Sequence, residues 1–148
     1  MKIDRRTILK RLLAVTATLA FPQFLFAARP DKAFEATEPG QAIADLLGAE
    51  PTDSDRVQMK IPDIAENGAV VPVTISTDLD GVESISVVVD NNPTPLAASF
   101  DMSPNTVPVV SVRIKMGQSS NVRAIVKAGG NLYSTTKEVK VTIGGCGG

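Results

Sequence analysis

Histidine and tryptophan are both missing from this 148-residue chain, and cysteine occurs once, as Cys146. Without histidine there is no Ser-His-Asp or Cys-His pair, and the commonest neutral metal ligand is gone. One cysteine excludes an intrachain disulfide and any multi-thiolate metal site. No residue is therefore assigned a catalytic or metal-binding role, and no cofactor is expected. Low-complexity tracts are also lacking. Hydrophobic residues make up 43% of the chain and charged residues 21%, which fits one folded domain with an ordinary core.

The net charge of −1 hides a segregation. Residues 1–28 carry five basic residues (Lys2, Arg5, Arg6, Lys10, Arg11) against Asp4 alone, and the remainder carries 10 basic against 15 acidic residues. Within that remainder, residues 29–101 hold 14 acids and 4 bases, whereas 102–148 hold 6 bases and only Glu138. The cations fall singly along strand-like segments and form no stripe with aromatics, so nucleic acid is not an expected partner.

The stretch "DRRTILK", Asp4 to Lys10, precedes a mostly apolar run from Leu12 to Ala28. Paired Arg5 and Arg6, a spacer, two aliphatics and a lysine resemble the twin-arginine signal for bacterial export. A basic start, an apolar middle and small residues after it complete the tripartite layout. The run touches the lower limit of about 17–25 residues for a membrane span. Thr16, Thr18, Pro22 and Gln23 dilute it, so a removed signal over 1–28 is expected, with no stable membrane insertion. A cut after Ala27 or Ala28 leaves Leu25 or Phe26 where a small residue is preferred. The mature chain is then expected in the periplasm, an oxidising compartment where a lone thiol is a chemical liability. The twin-arginine route carries folded proteins, so a partner folded onto this chain could be exported with it.

Residues 29–50 read as a helical segment, with Phe34, Ile43, Leu46 and Leu47 apolar, an interruption at Pro39-Gly40 and an end at Gly48. Beyond it the hydrophobic period is two. Strands are expected around Val57–Ile61, Val71–Ile75, Ile85–Val89, Leu96–Met102, Val110–Met116, Val122–Val126 and up to Ile143. "ENGA" (Glu66 to Ala69), "DNNP" (Asp90 to Pro93) and "GGN" (Gly129 to Asn131) read as turns. Seven half-apolar strands after a short helical segment predict an all-β, immunoglobulin-like β-sandwich over 51–143. Pro72, Pro95 and Pro108 place their strands at edges or bulges. A β-grasp or a barrel is the competing architecture.

The strand ending at Ile143 leads into "GGCGG", residues 144–148. Three residues from Ile143 to Cys146 reach about 10 Å at roughly 3.3–3.6 Å each. Gly144, Gly145, Gly147 and Gly148 add no side chain, so this arm suits a narrow channel in which a Cβ would collide. The thiol is not self-activating. Lys140 is the nearest cation in sequence, six residues back. A thiol near the ordinary pKa of about 8.5 is only a few per cent thiolate at neutral pH. A prenylation box would need three residues after the cysteine, and two are present.

"NVRAIVKAGGNLYSTTKEVKVTIGGCGG" (Asn121 to Gly148) strongly resembles the SoxY family, the sulfur-carrier subunits of the bacterial thiosulfate-oxidising Sox system. "ENGAVVPVTI" (Glu66 to Ile75), "NNPTPLAASF" (Asn91 to Phe100) and the leader look like the same family. The resemblance implies that Cys146 is the covalent attachment point for sulfur intermediates. It also implies a heterodimer with the all-β protein SoxZ, and transient work by SoxXA, SoxB and, where present, SoxCD. On that reading the chain is a carrier acted on by enzymes, with no cofactor beyond the sulfur adducts themselves. Two other readings stand beside it: a ubiquitin-like carrier whose Gly147-Gly148 carboxylate becomes a thiocarboxylate, and an exported Ig-like interaction module.

Overall fold

The computed structural model describes residues 29–142. The leader, with Arg5 and Arg6, and Ile143 to Gly148, with Cys146, lie outside the described residues.

The helical segment is two helices, α1 (Asp31–Glu35) and α2 (Pro39–Leu47). Pro39, expected as an interruption, instead opens α2, where its missing N–H costs nothing and its fixed φ suits the first turn. Gly48 ends α2 in the left-handed region at φ 80°, its N–H donating to the Ala44 carbonyl at 2.9 Å.

Among the described residues nine strands follow: β1 (Thr52–Asp53), β2 (Val57–Lys60), β3 (Ile64–Ala65), β4 (Val71–Thr77), β5 (Val82–Val89), β6 (Leu96–Asp101), β7 (Val109–Ile114), β8 (Ser120–Ala128) and β9 (Asn131–Val141). They form a large sheet in the order β1-β9-β8-β5-β6, with β3 also on β9, and a small sheet in the order β2-β4-β7. This is the expected two-sheet sandwich. The seven expected strands are present. The two additional ones, β1 and β3, span two residues each, too short to show a hydrophobic period. Both run parallel to β9, at Tyr133–Ser134 and Lys140–Val141, and cover its outer edge.

The core lies between the sheets. Val71, Val73 and Ile75 from β4 meet Ile85, Val87 and Val89 from β5 and Val122, Ala124 and Val126 from β8. A fully buried side chain such as Ile85, 0% exposed, contributes about 1.5–3 kcal/mol. β5 is buried without a break from Ser84 to Val89, because α1 and α2 cover its other face. There Val88 and Ile125 pack with Ala33, Ala42 and Ile43.

Two expectations are corrected here. The period of two expected over Leu96–Met102 puts Leu96 on the same face as Ala98 and Phe100. Val88 pairs with Leu96 while Val87 pairs with Ala98, so Ala97 is an extra residue. The bulge turns Leu96 out toward the helices, while Phe100 and Met102 stay against the main core. Pro72 was expected at an edge or bulge, yet β4 is the central strand of the small sheet. β2 stops at the Lys60–Thr74 pair, so Pro72 has a ladder partner only in Arg113 of β7. Locally it sits at a free edge, which is why proline is tolerated. Pro95 and Pro108 do precede edge strands, β6 and β7.

Candidate functional site

Cys146 and the glycines Gly144, Gly145, Gly147 and Gly148 lie outside the described residues; the chain reaches them from the last residues of β9. Those last residues are held from both sides. The N–H of Lys140 donates to the Asp63 carbonyl at 2.9 Å, and the N–H of Thr142 donates to Ala65 at 3.1 Å. Between them the N–H of Val141 points the other way and donates to Ser119 Oγ at 2.9 Å. Alternation is inherent in a β-strand, so two neighbours are needed to hold three successive N–H groups. The β3 segment supplies one and the β7–β8 loop the other.

The "ENGA" turn closes this end of the sandwich. The N–H of Val70 returns to the Asn67 carbonyl at 3.2 Å, and Asn67 Oδ1 accepts the N–H of Ala69 at 2.9 Å. Met116 then donates its N–H to the Gly68 carbonyl at 2.7 Å. A Cβ on Gly68 would run into the Met116 carbonyl oxygen and come within 2.9 Å of Val141 Cγ1. Glycine is needed here for close approach.

Asn91 and Asn92 tie the β5–β6 loop to the same end. Asn92 donates from Nδ2 to the Lys115 carbonyl at 2.7 Å and accepts the Gly117 N–H at 3.1 Å. Asn91 donates its N–H to Ser120 Oγ and its Nδ2 to the Ser119 carbonyl, both at 2.9 Å. Asp90, just before them, is gripped by Arg123 at 2.9 Å. Ser119, which holds Val141, is thus itself held. Beside the loop a cleft of about 520 Å³ opens between the start of β6 and the end of β7, lined by Asn92, Pro93, Leu96, Arg113 and Lys115 among others.

The Lys137–Asp63 pair at this end is exposed. Lys137 Nζ lies 2.8 Å from Asp63, whose pKa its hydrogen bond and positive charge hold below the ordinary 3.8. Among the described residues no group of three or more His, Cys, Asp or Glu side chains could hold a metal ion. Among them, too, no helix is long and apolar enough to cross a membrane.

Of the expected site residues, none falls among those described; what the structure adds is how the strand end that precedes them is braced. Gly68, Ser119, Asn91 and Asn92 take part in that bracing, and sequence reading missed it. "ENGA" and "DNNP" were legible as turns, but nothing local in them reveals that they meet each other's neighbours across the sheets.

Fold and site together define a small two-sheet β-sandwich that holds the last described residues of β9 from both sides. The profile of the family described as "Sulfur oxidation protein SoxY" matches residues 43–146, most of the chain and through Cys146 itself. The chain belongs to the SoxY family. A solved structure of the sulfur carrier protein SoxY from Chlorobium limicola f thiosulfatophilum is 46% identical, with a TM-score of 0.64 over 70% of this chain and 96% of that one. Superoxide reductase (neelaredoxin) from Ignicoccus hospitalis is also similar, at 16% identity and a TM-score of 0.55 over 62% of this chain and 95% of that one. That second likeness concerns the fold alone. No curated protein matches.

Proposed function

We propose that this chain is a periplasmic covalent sulfur carrier in thiosulfate oxidation, exported by the twin-arginine route, with Cys146 as the attachment point. The observation that carries the reading is the SoxY family match, which runs through the one cysteine in the sequence. The gripped end of β9 supports it, because a carrier must present its cargo from a defined direction while contributing no catalytic groups of its own.

Loading joins the Cys146 sulfur to the outer sulfur of thiosulfate. The thiol proton leaves, the c-type haem enzyme SoxXA would take up the two electrons, and a thiosulfonate remains on the carrier. Water then cleaves the bond between the outer sulfur and the sulfonate, catalysed by SoxB. Sulfate departs and a persulfide stays on Cys146; SoxCD, where present, oxidises that remaining sulfur. Each reaction needs the adduct inside another protein's site. The glycines flanking Cys146 suit that entry, and SoxZ is the constant partner in the heterodimer.

The test is the intact mass of protein taken from the periplasm of cells growing on thiosulfate, with and without reductant. Sulfur-containing adducts released by reductant and absent from a Cys146→Ser variant are expected. A wild-type mass free of adducts during active thiosulfate oxidation would overturn the reading. The sandwich disfavours the ubiquitin-like alternative, whose activation requires a β-grasp.

A further inference from the structure

The two sheets are finished differently on their outer faces. On the large sheet α1 and α2 cover Val88, Leu96 and Ile125. Among the described residues nothing covers the outer face of β2-β4-β7. Its outward positions carry no acid, although residues 29–101 hold 14 of them. Lys60 and Arg113 point outward from the two flanking strands, and Lys115 follows just past β7. Ten basic residues lie in 29–142, and five of them, Lys32, Lys60, Arg113, Lys115 and Lys140, have no ion-pair partner among the described residues. Three of those five are on this face.

Its middle is low and already satisfied. Thr74 and Ser111 are paired across β4 and β7 with their hydroxyls 2.6 Å apart, so covering them strands little hydrogen-bonding capacity. Around this centre are exposed valines: Val70 and Val109 at 50% and Val107 at 73%, three of the four large hydrophobics most exposed among the described residues. An ordinary solvated sheet face mixes both signs of charge on long side chains. This one is flat, apolar in patches and cationic.

We propose that the outer face of the β2-β4-β7 sheet is the surface that binds the all-β partner chain, through a flat, acidic face of that partner. The inference rests on the heterodimer reading above and deepens it by naming the surface. Charge complementarity selects an acidic occupant. The cations also set its orientation. Lys115 and Val70 lie beside Met116 and Gly68, the end from which β9 runs on toward Cys146, whereas Asp55 and Asp78 lie at the opposite end, Asp78 tied to Arg56 at 2.7 Å. The partner's acids would therefore concentrate near the end that delivers the cysteine.

The experiment uses the full chain co-expressed with the SoxZ chain of the same cells, and reads the dissociation constant and its salt dependence. Ser111→Glu, which adds bulk and a negative charge to the centre of the face, is expected to weaken pairing at least about tenfold. Lys60→Glu with Arg113→Glu is expected to do the same at low salt, with the loss shrinking as salt rises. Glu138→Arg, on the outer face of the large sheet, is expected to change pairing less than about twofold. Unchanged melting curves for the free variants exclude misfolding. If Ser111→Glu pairs like the wild type, or Glu138→Arg alone disrupts pairing, the surface is misassigned while the carrier reading stands. Self-association of the wild type that Ser111→Glu abolishes would assign the face to a second copy and overturn the proposal. If the wild type does not pair with SoxZ at all, both the surface and the heterodimer fall, whereas adducts on Cys146 would still be found.

Discussion

The two ends of β9 are built in opposite ways. At its start the strand comes out of a two-residue turn, Gly129-Gly130, with φ of 55° and 77°, conformations that only glycine adopts without strain. Glu83, the extra residue in a bulge of β5, steadies that turn by accepting the Gly130 N–H at 2.9 Å and pairing with Lys127 at 2.9 Å. At its other end the strand is held from both sides. Asp63, Ala65 and Ser119 hold its N–H groups alternately, and the chain continues toward Cys146. One end sets the pairing of β8 with β9; the other braces the last described residues of β9. The first is centred on a local glycine turn, steadied by one distant carboxylate. The second is assembled wholly from residues more than twenty positions away.

That contrast can be tested from its strongest consequence downward. Cys146→Ser should abolish sulfur loading while leaving the melting temperature unchanged, since a hydroxyl cannot form the sulfur–sulfur bond. Any adduct at the usual mass would place the attachment elsewhere. Gly68→Val should be costly in both respects. Its side chain meets backbone rather than a movable side chain, so destabilisation of about 1–3 kcal/mol is expected, together with faster hydrogen exchange at Val141 and Thr142. Exchange at those amides unchanged from wild type would mean that the turn does not brace the delivering end.

Gly130→Ala should cost about 1–2 kcal/mol from the left-handed backbone it must keep, visible in chemical denaturation. On the proposed function, sulfur loading should stay at the wild-type rate, because this turn is at the end of β9 farther in sequence from Cys146. The smallest effect concerns pH. The Lys127 hydrogen bond, and then that of the Gly130 N–H, hold Glu83 below its ordinary 4.5. A lowered folded value means the contribution is complete above the unfolded value and is lost as pH falls through the folded one. The stability difference between wild type and Glu83→Gln should therefore shrink as pH drops from about 5 to about 3. A difference constant across that range would show that the carboxylate does not steady the turn.

Much of the β-sandwich was readable from period two, because a strand buried on one face must alternate. The turn at Gly129-Gly130 was readable because its residue types answer a local backbone demand. The delivering end was not. The strand β3 is two residues long and has no period to show, and Ser119 looks like any loop serine until Val141 is placed against it. Cys146 and its glycines were singled out by residue type alone, and they lie outside the described residues.

What local pattern decided, then, was the alternation that turns one face of each long strand to the core and the end of α2 at Gly48. Only the assembled sheets decided that Leu96 faces the helices across the Ala97 bulge, that Pro72 sits in a central strand beyond the reach of β2, and that Gly68 must lie against Met116 and Val141. The physical reason is the range of each effect. Side-chain alternation and φ preference act within a few bonds, whereas register, edge coverage and close backbone approach exist only once distant strands have met.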